Sequence, residues 1–222
     1  MDDAMTPDEF HAANGSGDWR VLAEGAQATF RTGSLAASAR FVAALAGVDG
    51  LEAHRPAIDV RAEGVTIRLL TRADDWYGIT QRDLGLARAI SSIAAEQGLS
   101  ADPSRAQSLL LVVGAPSGTA VLPFWRAALG YDPRPDSPDE DLVDPHDRDV
   151  SLWFEEMDQA RGDGGGALHV GIFVAPEVAE ARVAAALAAG GRLVRDDRAP
   201  MWWTLADAAG NEADIATTQG RS

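Results

Sequence analysis

Neither cysteine nor lysine occurs anywhere in the 222-residue chain. The first absence excludes disulfides, thiolate nucleophiles and cysteine-ligated zinc or iron–sulfur centres. The second excludes a Schiff-base lysine and a phosphate-loop lysine. All 19 basic residues are therefore arginines; they face 34 acidic residues, and the net charge of −15 repels a polyanion such as DNA. Long apolar runs are missing too: no stretch reaches the roughly 18 residues that a bilayer crossing needs. The start, Met1-Asp2-Asp3-Ala4, leads into no apolar segment of the secretory type. A cytoplasmic protein without nucleic-acid or membrane partners is expected. What the chain does have is core material, with 46% hydrophobic and 24% charged residues, a globular balance. Its length exceeds the usual domain of roughly 100–150 residues, so two domains are expected.

In the first half, helical and strand patterns alternate. Thr6-Pro7-Asp8-Glu9 carries an N-cap followed by proline at the first helical position, and this helix ends near Asn14-Gly15. Trp19 to Ala23 and Ala28 to Thr32 have strand character. From Ser34 to Val48, Leu35, Phe41, Val42, Leu45 and Val48 share one helical face. Ile58 to Arg61 and Val65 to Thr71 supply a hairpin around Ala62-Glu63-Gly64. A last helix opens at Thr80, with Asp83 completing a capping-box spacing, buries Leu84, Ala87, Ile90, Ile93 and Ala94, and stops near Gly98. The fold class expected is α+β, beginning with a small antiparallel sheet whose helices lie on one face. The polar, proline-bearing stretch from Leu99 to Ser104 marks the boundary, giving domains 1–100 and 106–220.

The second half repeats itself. Leu109 to Val113 leads through Ala115-Pro116 into a helix with Leu122, Trp125 and Leu129 that ends at Gly130. Leu168 to Val174 leads through Ala175-Pro176 into a helix with Val183 and Leu187 that ends at Gly190, each landmark 60 residues on. Short strands follow in both copies, at Leu142-Val143 and Val150 to Phe154, then at Trp202 to Leu205 and Glu212 to Thr217. The pattern predicts a pair of βαβββ units joined by a linker at Gly162 to Gly166.

Three segments of the first half carry a family pattern: His54-Arg55-Pro56, the strand from Val65 to Thr71 with Arg72, and Gly78-Ile79-Thr80 followed by Asp83 and Ala87. Together they resemble pterin-4a-carbinolamine dehydratase over roughly residues 7 to 98, with Trp19 and Phe41-Val42 at further family positions. The resemblance implies elimination of water from a 4a-hydroxytetrahydropterin, with histidines moving protons between the ring nitrogen and the leaving hydroxyl. Imidazole suits this because its ordinary pKa of about 6.5 lets it give and take a proton near neutrality. His54 keeps one family histidine, but Arg55 and Arg72 replace two others. A guanidinium stays protonated below a pH of about 12 and cannot act as a general base, so the activity implied is weakened or repurposed. The chain also carries a two-residue expansion before Gly78, expected to reshape the pocket rim. Catalytic candidates are His54, Arg55 and Arg72, and ligand-binding candidates here are Trp19 and Asp83. The bland alternatives are a polar residue at a helix–strand junction for His54, a first-turn helix acid for Asp83, and a solvated edge for the two arginines. Otherwise Arg55 and Arg72 line a pocket for an anionic or carbonyl-bearing ligand.

The repeat, with Phe124-Trp125, Leu129-Gly130-Tyr131, the strand holding His169, and Gly210-Asn211-Glu212, is similar to the glyoxalase/bleomycin-resistance proteins of the vicinal oxygen chelate superfamily over residues 106 to 218. In metal-using members, two ligands from each unit enclose one divalent ion. His169 and Glu212 fit the second unit's pair, while the 60-residue offset leads to Leu109 and Leu152, which donate nothing. No metal and no cofactor are expected. His169 and Glu212 then remain as remnants, anchors for an organic ligand, half of a site shared with another chain, or a hydrogen-bonded pair across a sheet. Trp202 and Trp203 alternate on a strand, one for the core and one, Trp202, for the wall of a ligand cavity. Three functions follow: a dehydratase-like lyase, a protein that binds a pterin-like or oxygen-rich small molecule without turnover as resistance proteins do, or a metal-dependent enzyme at His169 and Glu212. A homo-oligomer is expected, since both families pair through sheet edges or exchanged units.

Overall fold

The computed structural model describes residues 3–15, 17–23, 25–73, 75–156, 168–206 and 212–220. The expected linker at Gly162 to Gly166 and the segment from Asp207 to Asn211 lie outside them, as do the side chains of Phe124, Leu168 and His169. The chain divides into two compact units, Met1–Ala106 and Gln107–Gly220.

The first unit runs β1 (Ala4–Met5), α1 (Pro7–Asn14), β2 (Arg20–Leu22), β3 (Gly25–Arg31), α2 (Leu35–Leu45), α3 (Leu51–His54), β4 (Ala57–Val60), β5 (Gly64–Leu69), β6 (Thr71–Ala73), β7 (Trp76–Thr80), α4 (Gln81–Glu96) and β8 (Ser100–Ala101). Helix starts follow local chemistry. Thr6 caps α1 in a full capping box with Glu9, and Ser34 accepts from the Ala37 N–H at the start of α2. The main sheet has the order β2-β3-β5-β4, all antiparallel, with β8 added along β3. Val65, Ile67 and Leu69 alternate inward on β5 and meet Phe41 and Leu45 of α2 and Leu84, Ala87 and Ile90 of α4 in one buried cluster. Trp19, Phe30 and Phe41 stack edge-on through it, with ring centroids 6.3 and 5.3 Å apart.

One element departs from the sequence expectation. Ala73, Trp76 and Tyr77, in the segment expected only to reshape a pocket rim, belong to a hairpin in which Thr71 pairs with Gly78 and Ala73 with Trp76. β1 joins it through the pairs Ala4 with Thr80 and Met5 with Ile79, making a separate three-stranded sheet in the order β1-β7-β6. Strands this short leave no periodic signature. Gly78 is fitted to the hairpin, since a Cβ there would stand 2.9 Å from the Trp76 ring.

The second unit contains β9 (Gln107–Ala115), α5 (Gly118–Leu129), β10 (Asp132–Pro133), β11 (Asp141–Val143), β12 (Ser151–Glu156), β13 (Leu168–Val174), α6 (Pro176–Ala188), β14 (Arg192–Arg195), β15 (Trp202–Ala206) and β16 (Glu212–Ala216). Each half is a βαβββ unit, and the two share one eight-stranded sheet in the order β10-β11-β12-β9-β13-β16-β15-β14. β9 and β13 pair antiparallel at its centre, and the last strand of each half lies parallel to its first. Each helix covers its own cluster: Val113, Leu142, Leu152 and Phe154 with Leu122 and Trp125 of α5, then Val174, Leu205 and Ile215 with Val183 of α6 and Trp203.

The 60-residue period holds at the helix ends, where Gly130 and Gly190 both take positive φ. It fails on the strands. Leu109 pairs with Ile172, whereas residue 169 pairs with Val112, so residues 109 and 169 stand at alternate ladder positions. Leu152 in turn lies beside Leu111 rather than Leu109, and packs in the core. Side chains switch faces at every residue, so an offset read from helix ends need not carry across a strand.

Gly25 tests the main sheet. It sits at φ +103°, and a Cβ there would lie 2.4 Å from the Leu69 carbonyl oxygen. Gly25→Ala is expected to destabilise the first unit by at least about 1–3 kcal/mol, read as a lower thermal midpoint; an unchanged midpoint would show that β3 and β5 separate freely there.

Candidate functional site

α3 is only four residues long and cannot continue, because Pro56 disfavours helical backbone at Arg55. Arg55 instead turns left-handed, at φ 58° and ψ 58°, with its N–H bonded to the Leu51 and Glu52 carbonyls. That turn fixes His54 at the end of α3. Opposite it, Thr80 caps α4 and Asp83 is the third helical residue of a capping box.

Asp83 is fully buried and its two oxygens are shared among four donors. Oδ2 accepts from the Thr80 N–H at 2.8 Å, the Thr80 hydroxyl at 2.7 Å and the Thr71 hydroxyl at 2.7 Å. Oδ1 meets Nε2 of His54 at 2.6 Å. Burial pushes the Asp83 carboxyl up, but the hydrogen bonds from His54, Thr80 and Thr71 outweigh it and hold it below the usual carboxylate value. An ionised carboxylate only accepts, so Nε2 carries the hydrogen. In the neutral ring the lone pair is then on Nδ1; in the imidazolium Nδ1 carries a second hydrogen. The His54 side chain is only 3% exposed, and Nδ1 is buried without a hydrogen-bond partner. A ring fixed by an acid on one nitrogen and unmet on the other has in Nδ1 an atom that can give or take a proton.

The other sequence candidates fall in several places. Arg55 is exposed directly after His54. Arg72 is exposed on β6 directly after Thr71, its guanidinium carbon 5.5 Å from the Tyr77 ring centroid. Trp19, a ligand-binding candidate from the sequence, is instead a core residue: it is fully buried and its indole N–H donates to Ser91 Oγ at 3.0 Å, which leaves it no face for a ligand. In the second unit, Trp203 packs under α6 while Trp202 is half-buried, with Arg198 5.9 Å from its ring centroid. Glu212 is half-buried at the start of β16, one ladder step beyond the Val170–Ala213 pair and so beside residue 169 in the backbone register. The side chain of His169 lies outside the described residues. Among the described residues no three of His, Asp and Glu group as a metal site requires. Asp144 organises its loop by accepting from the N–H groups of His146, Arg148 and Asp149.

Thr71 and Thr80 complete the His54 network as hydroxyl donors. Their partnership with Asp83 had one visible sign, the Thr80-to-Asp83 capping spacing; nothing in sequence places Thr71 or His54 against the same carboxylate. An open groove of about 610 Å³ between the α2–α3 connection and α4, lined by Val48, Arg82, Leu86 and Ile93 among others, does not include His54.

Residues 3–93 match the family described as pterin 4 alpha carbinolamine dehydratase, and residues 111–216 match the glyoxalase-like domain. The chain is a fusion of these two domains. No curated protein matches it. Among solved structures, it is similar to an NAD-dependent benzaldehyde dehydrogenase from Legionella pneumophila, with 11% identity over 49% of this chain and 97% of that one and a TM-score of 0.37. It is also similar to a glyoxalase/bleomycin resistance protein/dioxygenase superfamily member from Vibrio splendidus 12B01, with 14% identity over 50% and 99% of the two chains and a TM-score of 0.35. The His54–Asp83 pair thus belongs to the dehydratase-like domain, and Trp202 and Glu212 to the glyoxalase-like domain.

The depressed Asp83 pKa fixes a pH dependence. Its stabilising contribution is complete above the unfolded carboxylate value of about 3.9 and is lost as pH falls through the lower folded value. Asp83→Asn should therefore cost the dehydratase-like domain about 1–3 kcal/mol at neutral pH and flatten the acid limb of its stability curve. Denaturant melts from neutral to acid pH measure both, and an acid limb as steep as that of the wild type would contradict an ionised Asp83.

Proposed function

We propose that the dehydratase-like domain eliminates water from a 4a-hydroxytetrahydropterin, with His54 as its proton carrier and a rate below that of relatives with three histidines. What supports this is the buried Nδ1 of His54, without a partner and held in place through Nε2 by Asp83. Neutral His54 takes the proton from the ring N–H at Nδ1. The carbon–oxygen bond at C4a breaks as the carbon–nitrogen double bond forms, and the imidazolium gives its proton to the departing hydroxyl, which leaves as water. One imidazole can serve both transfers only in turn. Arg55 and Arg72 orient the substrate by donating hydrogen bonds to its oxygens and take no proton. Asp83 is a positioning residue.

The glyoxalase-like domain binds a small organic molecule, for which Trp202, His169 and Glu212 are the candidate contacts. A second reading, binding without turnover in both domains, draws support from the two guanidiniums at histidine positions. The chain works as a cytoplasmic homo-oligomer, for which the end strands β4 and β14 offer exposed Val60 and Leu193 at sheet edges.

Stopped-flow absorbance on freshly formed 4a-hydroxytetrahydropterin is the test. The wild-type chain should dehydrate it faster than buffer, and His54→Ala should return the rate to that of buffer, a loss of up to about 10²–10⁴-fold. Arg72→His should raise the wild-type rate. Equal rates for wild type and His54→Ala would remove the lyase function and leave the binding reading.

A further inference from the structure

We infer that a second copy of this chain docks in the groove beside α4, the two α4 helices lying antiparallel with Ala89 at the crossing. The inference rests on the homo-oligomer reading above and adds a helix surface to the sheet edges named there. The open groove of about 610 Å³ has Val48 and Ile93 as apolar walls, and its α4 side runs from Arg82 to Ile93. With about 3.6 residues to the turn, Arg82, Gly85, Ala89, Ser92 and Glu96 fall on one side of that helix. Gly85 is exposed in the interior of this 16-residue helix, and no atom lies within 4 Å of the place a Cβ would take. Glycine is the weakest helix former after proline, and the described residues give no reason for it here, since its φ is not positive and no neighbour approaches. A second helix closing on the notch at Gly85 and Ala89 gives one, because the small side chains there set how near two helix axes can come.

The charges choose the occupant. Arg82 and Glu96 lie at the two ends of this side of α4, each seven residues from Ala89. A two-fold axis through Ala89 therefore brings Arg82 of each copy to Glu96 of the other and forms the same pair twice. Arg82 is already held at the mouth of the groove: one guanidinium nitrogen donates to the Gly50 carbonyl at 3.0 Å, which leaves N–H groups on the other nitrogens. Glu96 is exposed and has no hydrogen bond or ion pair with any described residue. A parallel pairing would instead set Arg82 against Arg82 and Glu96 against Glu96. Copies of a chain with net charge −15 repel each other at long range, and this side of α4 offers them a contact on which cation and anion balance. Such self-complementarity fits a second copy and gives an unrelated partner no advantage.

Cross-linking through a single introduced cysteine decides this, since the chain has none of its own. The full chain carrying Ala89→Cys, treated with a short bis-maleimide at micromolar concentration, should give a covalent dimer. Glu96→Arg in the same chain should cut the yield at least about tenfold, and Arg82→Glu added to it should restore the dimer, because the pair is then reversed rather than lost. Gly85→Leu should abolish the dimer by filling the notch while leaving the thermal midpoint unchanged or higher, leucine being the better helix former. Sedimentation of the wild-type chain separates the two levels of the claim. A monomer at every concentration removes the homo-oligomer reading and the inference with it. An oligomer whose residue 89 does not cross-link, or whose cross-link survives Gly85→Leu, overturns the α4 contact alone.

Discussion

One buried carboxylate holds the dehydratase-like domain's site together. Asp83 has no exposure to solvent, and its four donors come from the N-terminus of α4, from β6 and from the end of α3. A charge in that position is tolerated only because each lone pair it presents is met, and the penalty of burial is more than offset by those bonds. The same saturation makes it directional. With every donor committed, His54 cannot rotate or exchange its tautomer without leaving a buried ion short of a partner, so Nδ1 is the ring nitrogen that stays without a hydrogen-bond partner.

That arrangement explains how a site can keep its shape while its chemistry shifts. The scaffold that orients His54 consists of Asp83, Thr71 and Thr80, none of which transfers a proton in the proposed reaction. Arg55 and Arg72 lie outside this scaffold, both exposed, so exchanging imidazole for guanidinium there alters charge and proton capacity without touching the buried bonds. A fixed cation can hold an anion or polarise an oxygen, yet it cannot relay a proton. In the proposed reaction these two positions therefore orient the substrate and move no proton.

Much of this architecture was legible in the sequence, because it is encoded locally. The N-cap at Thr6, the capping box at Thr80, the inward alternation of Val65, Ile67 and Leu69, and the repeated strand–helix pattern of the glyoxalase-like domain all depend on neighbours a few residues apart. The β6–β7 hairpin and β1 were not legible, since pairs such as Ala4 with Thr80 join strands of two to five residues across most of a domain. Trp19 shows the opposite failure: a family position invites a ligand role, while burial and a bond to Ser91, 72 residues away, make it core. The meeting of His54 with Asp83 spans 29 residues and was visible only as two separate motifs.

The glyoxalase-like domain shows why repeat arithmetic needs the register beside it. Helix ends can drift along a sequence without consequence, because a helix slides over a sheet by small steps. A strand has no such freedom: one residue of slip exchanges its covered face for its open one. Leu109 is set against Ile172 and residue 169 against Val112, so no even offset taken from Gly130 and Gly190 could match residue 169 to its structural counterpart. Any candidate ligand set for this domain must therefore be drawn from the ladder. There Glu212 follows the register of β13 and β16, and its neighbour on the same strand face, Asp214, already accepts the Thr204 hydroxyl at 2.6 Å. Of the two carboxylates, Asp214 is thereby tied into the sheet, and Glu212 is the one whose position beside residue 169 keeps it a candidate for a bound molecule.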